Sequence, residues 1–160
     1  MSDNQAAEPA EEILTPGQAR AFQVIADGGT LKDVRGLSDK DIEAIYAVGF
    51  NFYNQAKYEQ AEPMFQFVCM YAHDQARYWM ALGNCRQMVK NYQGAIDAYG
   101  FAYIQDITNP WSAIQAGICY LALQNKEFAA QSLDLAEKTI ANNKPDETAK
   151  QRIAALRHAL

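Results

Sequence analysis

Residues 42–75 read IEAIYAVGFNFYNQAKYEQAEPMFQFVCMYAHDQ, and the same plan returns as ARYWMALGNCRQMVKNYQGAIDAYGFAYIQDITN over 76–109 and PWSAIQAGICYLALQNKEFAAQSLDLAEKTIANN over 110–143. Gly49, Gly83 and Gly117 stand 34 residues apart, and so do Ala61, Ala95 and Ala129. A fixed period of this length marks an array in which each unit is one supersecondary element. Apolar residues within each unit recur at the three- and four-residue spacing of a helix face, and the small residues let two helices approach closely. The spacing predicts an all-α array of three repeats.

In the first unit the opening helix carries two apolar stripes. Ile45, Val48 and Phe52 make one, expected to be core; Tyr46, Phe50 and Tyr53 make a second, displaced around the axis. The second stripe requires another helix or a ligand. Upstream, Thr15, Pro16 and Gln18 have capping-box spacing ahead of Phe22, Val24 and Ile25, and Gly28–Gly29 reads as a stop. Downstream, Pro145 opens a helix with Ala149, Ile153, Leu156 and Leu160 on one face, which suits it to close the end of an array. The expected organisation is one domain: a disordered acidic tail over 1–14, an N-terminal helical segment over 15–37, the repeats within 38–143 and a capping helix over 144–160. Ser38, Asn109 and Pro110 are expected at helix starts, and Pro63 is a local misfit that shifts or kinks its helix.

Composition narrows the function. The 160 residues carry a net charge of −5 and only 14 Lys and Arg, so no basic surface is expected for nucleic acid or for an anionic membrane. MSDNQAAEPAEEIL lacks the basic start and apolar run of a secretory signal, and IQAGICYLAL is too short to span a bilayer; a soluble cytoplasmic protein is expected. Cys69, Cys85 and Cys119 are odd in number and without paired spacing, which predicts buried reduced thiols in place of disulfides or a zinc site. His73 and His158 stand without a motif-spaced nucleophile or carboxylate, and no glycine-rich phosphate loop is present. No catalytic residue, metal or cofactor is expected.

The 34-residue units resemble the tetratricopeptide repeat. The second keeps the pattern with Trp79, Leu82, Gly83, Ala95, Tyr99 and Ala102 and departs at Arg86; the first keeps Ile45, Val48, Gly49, Phe52, Ala61, Phe65 and Val68. The third keeps Gly117, Tyr120, Ala129, Leu133 and Ala136, with small Ala113 and Ala116 in place of large residues. The resemblance implies a short right-handed superhelix whose first helices line a concave face. The residues it assigns to that face are Glu43, Tyr46, Phe50, Tyr53 and Asn54, then Arg77, Met80, Asn84, Gln87 and Met88, then Trp111, Ile114, Ile118, Leu121 and Ala122. Most are apolar, as in a groove for an extended peptide or an exposed hydrophobic segment. The alternative is that a terminal helix folds back over them.

A closer resemblance covers about Leu31 to Ile140. GGTLKDVRGLS, IYAVGFNFYNQAKYEQAEPMFQFVC, LGNCRQ, YGFAYIQDI and AGICYLAL, in that order around three repeats, look like the class II chaperones of bacterial type III secretion systems. The resemblance implies a chaperone that keeps one or two hydrophobic translocator subunits soluble and secretion-competent in the bacterial cytoplasm. It implies binding of a segment patterned like Pro-x-Leu-x-x-Pro in the concave groove, with Tyr46, Phe50 and Tyr53 as groove aromatics. It also implies a homodimer when free, for which Phe22, Val24 and Ile25 are the candidate contacts, and adds a transcriptional regulator as a partner that some relatives engage. The competing readings are a generic repeat scaffold for another peptide and a clamp for a C-terminal carboxylate. Tyr46, Met80 and Ile114 stand where that clamp needs Lys, which argues against it.

Overall fold

The computed structural model describes residues 15–160; the acidic segment 1–14, expected to be a disordered tail, lies outside the described residues. Among these residues the protein is entirely helical, with nine α-helices. The three repeats are α3 (Asp39–Asn54) with α4 (Tyr58–Tyr71), α5 (Ala76–Met88) with α6 (Tyr92–Gln105), and α7 (Trp111–Ala122) with α8 (Lys126–Asn142). They are preceded by α1 (Pro16–Ala26) and α2 (Leu31–Arg35) and followed by α9 (Glu147–Arg157).

The periodic glycines work by proximity. A Cβ on Gly49 would fall 3.0 Å from Phe65, one on Gly83 2.5 Å from Tyr99, and one on Gly117 3.2 Å from Leu133. Each glycine thus faces the large residue that fills the middle of its own helix pair, and Ala61, Ala95 and Ala129 beside them are fully buried. One continuous stack of pairs results. Its core runs from Ile42, Phe65 and Val68 through Leu82, Ala95 and Tyr99 to Ile114, Leu133 and Ile153.

Helix starts follow the capping chemistry. Ser38 and Asp41 form a capping box, as do Thr15 and Gln18, and Asn91 and Asn125 cap α6 and α8. The Asn109 side chain accepts from the Trp111 N–H at 3.0 Å, as a capping residue does, Pro110 is in the helical conformation, and the hydrogen-bonded helix α7 begins at Trp111. Pro63 lies inside α4, which runs unbroken past it on its exposed side. The short α2, which sequence periodicity did not reveal, is closed by Gly36 in the left-handed conformation at φ 69°.

Two expectations about packing are corrected. Val48 was expected in the core but is 47% exposed. Its place faces the second helix of a preceding repeat, and among the described residues none stands before α3; α1 packs on α2 instead and has no buried residue. At the other end α9 lies against α7 and α8. Ala149 and Ile153 are buried there, and Leu156 and Leu160 pack beside them. The helix is held further by the Trp111 indole N–H on Asp146 at 3.1 Å and by Arg157 on Glu137 at 3.0 Å.

Candidate functional site

The concave face is built from α3, α5 and α7, and it holds a cavity of about 340 Å³ between the first two repeats. One wall is aromatic. Tyr46, Phe50 and Tyr53 project from successive turns of α3 with ring centroids 6.1 and 6.4 Å apart, stacked nearly parallel. Tyr46 and Tyr53 rest on Phe65 beneath them, whereas Phe50 stands at the rim, 46% exposed. Burial raises the phenol pKa of both Tyr46 and Tyr53, so these rings remain neutral at physiological pH.

The opposite wall is polar. Met80 lies in the cavity with Arg77 and Asn84 from α5, and Asp106 and Asn109 enter from the α6–α7 connection. As groove residues Asp106 and Asn109 escaped the sequence reading, which placed Asn109 only at a helix start, because no helix periodicity extends into a turn. Arg77 grips Glu43 of the first repeat with its two terminal guanidinium nitrogens, while the Tyr78 hydroxyl donates to the same carboxylate. The guanidinium lies 5.4 Å from the Tyr46 ring centroid and 4.6 Å from that of Tyr78. The Arg77 and Tyr78 hydrogen bonds hold the Glu43 carboxyl below its usual range, and the Arg77–Glu43 pair neutralises itself, which leaves Asp106 as the charged group of the cavity.

The remaining expected groove residues divide. Gln87 is half-buried one turn beyond Asn84, Met88 is exposed at the end of α5, and Leu121 is half-buried on α7. Trp111, Ile114 and Ile118 pack into the cluster that holds α9, and Ile114 is 0% exposed. Ile114 therefore has no surface to offer a ligand, because α9, packed on both α7 and α8 at the end of the stack, covers this part of α7. Helix direction decided this: the i, i+4 face of α9 carries enough aliphatic surface to cover α7, and an assignment of places repeat by repeat leaves that neighbour out.

Cys69, Cys85 and Cys119 are free and buried, with burial pushing their thiols up to about 12, 11 and 11. Among the described residues no cluster of His, Cys, Asp and Glu could hold a metal, and no helix is long and apolar enough to cross a membrane.

The tetratricopeptide repeat family pattern matches residues 42–75 and 78–106. The low calcium response locus protein H of Yersinia pestis is 32% identical over 133 residues, covering 83% of this chain and 79% of that protein. The chain belongs to the translocator chaperones of type III secretion. The translocator chaperone SycD of Yersinia enterocolitica superposes with a TM-score of 0.75 at 32% identity, over 83% of this chain and 99% of SycD, and SycD is also known in an alternative dimer and with a peptide of the translocator YopD. PcrH of Pseudomonas aeruginosa, bound to the chaperone binding region of PopD, superposes with a TM-score of 0.72 at 34% identity, over 78% of this chain and 94% of PcrH.

Proposed function

We propose that this chaperone holds hydrophobic translocator subunits in the bacterial cytoplasm by seating an extended segment of each in the groove between its first two repeats. It acts by binding and takes no cofactor. The observation that carries the reading is the cavity walled by Tyr46, Phe50, Tyr53 and Met80, where three stacked aromatic rings and a methionine line one hollow beside polar groups of α5. Translocator subunits carry membrane segments that aggregate in water, and an aromatic and Met-rich hollow buries apolar anchors from more than one such sequence. When free, the chain pairs with a second copy through α1, where Phe22 is 69% exposed and Ile25 and Val24 lie on the same helix.

Titration with the YopD peptide that SycD binds, or with the PopD region that PcrH binds, tests the proposal. Phe50→Ala removes an anchor that supports nothing beneath it, so affinity falls by about 2 kcal/mol while the melting temperature changes little. Tyr46→Ala loses both, because its ring also packs 5.2 Å from Tyr78 and 5.7 Å from Phe65. Binding that persists unchanged in Phe50→Ala removes the groove from the mechanism. Failure of both peptides, with an unrelated partner recovered from the native cell and identified by mass, leaves a generic repeat scaffold.

A further inference from the structure

Three places in the second repeat change from apolar to polar together. Asn84 and Gln87 stand one turn apart on α5, where the first repeat has Phe50 and Tyr53 and the third has Ile118 and Leu121. Tyr99 stands on α6, where the other repeats have Phe65 and Leu133. The three meet in space. The Tyr99 hydroxyl oxygen is 2.8 Å from the amide oxygen of Asn84 and 2.7 Å from that of Gln87. Tyr99 is fully buried with its ring against Gly83, so the hydroxyl is a fixed point beneath the groove.

A phenol has one proton. It donates to one of the two amide oxygens, and the other amide, turned over, donates its NH2 to the phenol oxygen. The two amides are thereby held in opposite senses, one leaving an NH2 group for the groove and the other a carbonyl. Among the described residues neither has a further hydrogen-bond partner. We propose that Tyr99, acting as a positioning residue, sets Asn84 and Gln87 as a donor and an acceptor that take the C=O and N–H of one residue of an extended peptide. The inference rests on the peptide-binding reading above and names what its polar floor recognises.

The chemistry selects an extended segment. In a strand, one residue offers its N–H and C=O together to one side, as in the hydrogen-bonded pairs of an antiparallel ladder. A helix has already spent both groups along its own axis. Recognition of the main chain is indifferent to the side chain at that place, so it fixes register for partners that share little sequence, while the aromatic wall and Met80 choose the anchors.

Calorimetric titration with the YopD peptide, unmodified and N-methylated at one residue at a time, tests the proposal. N-methylation at one central residue lowers affinity for the unmodified protein about fivefold or more, because it removes the N–H that an amide oxygen accepts. In Asn84→Ala/Gln87→Ala that position-specific loss disappears, and in Tyr99→Phe it shrinks while the melting curve shows a folded protein, Phe being the residue of the first repeat at this place. The double variant leaves the Tyr99 ring in place and opens its hydroxyl to water from the groove, so it keeps the test available should Tyr99→Phe unfold. A methylation profile that is identical in the unmodified and variant proteins overturns the proposal while leaving peptide binding intact. Absence of binding to the unmodified protein, by the YopD peptide and the PopD region alike, overturns the translocator reading and this proposal with it.

Discussion

Gly83 and Gly100 lie on the two helices of one repeat and respond oppositely to a methyl group. A Cβ on Gly83 falls 2.5 Å from the Tyr99 ring, which is buried on all sides and has nowhere to move, whereas one on Gly100 meets nothing within 4 Å. Gly83→Ala is expected to cost about 1–3 kcal/mol by overpacking, and Gly100→Ala to add about 0.5–1 kcal/mol by removing backbone freedom from the unfolded chain. Thermal melting of the two variants checks the pair; equal shifts of the same sign would reject the packing role given to the periodic glycines. Arg86 shows how a departure from the repeat pattern is accommodated. It replaces the aromatic found at Phe52 and Tyr120, and its guanidinium reaches Glu62 and the Gly94 carbonyl, each at 3.0 Å. A half-buried ion pair there ties the first repeat to the second where the others use a ring.

The helix pairs were legible in the sequence because their causes are local and periodic: small residues every 34 positions, apolar faces and capping side chains. What was not legible depends on neighbours or on backbone conformation. Val48 matches the core pattern, yet its burial depends on a preceding-repeat helix that the described residues do not place before α3; Ile114 matches the groove pattern, yet α9 covers it. The turns inside the repeats are a third case. Ala56, Lys90 and Gln124 occupy the left-handed region at φ 57°, 63° and 59°, again 34 residues apart, but none of the three is a residue type that announces a turn. Their common spacing was the available signal. A Cβ in this conformation costs about 1 kcal/mol or more, partly offset by the flexibility a glycine would bring to the unfolded chain. Each single change to Gly is therefore expected to raise stability by a few tenths to about 1 kcal/mol, and the triple variant by about the sum, since the turns do not share neighbours. Denaturant midpoints measure this, and three destabilised variants would contradict the left-handed turns.

Across the whole molecule the apolar and charged groups predict separate responses to pH and salt. Burial raises the thiols of Cys69, Cys85 and Cys119 to about 12, 11 and 11, above an unfolded value of about 8.5. The folded state holds these protons more tightly than the unfolded one, so their contribution is intact below about pH 8 and is lost as pH rises towards the folded values. The melting temperature should decline between about pH 9 and pH 11, less steeply in Cys119→Ala; an equal slope in that variant would exclude the thiol. Salt tests the groove itself. Its net charge is that of one carboxylate, Asp106, since Arg77 is held by Glu43, and the other surfaces left for a partner are the rings of α3, Met80 and neutral amides. Apolar burial and neutral hydrogen bonds are not screened, whereas exposed charges separated by more than about 10 Å are largely screened at 0.1 M salt. A translocator peptide should therefore keep its affinity within about threefold from about 50 to about 500 mM salt, with a negative heat-capacity change on binding. Replacing its apolar residues by Ser should abolish binding, and neutralising its charges should not. A tenfold loss with salt would place the binding energy on the net charge of −5 carried by the surface and remove it from the aromatic wall.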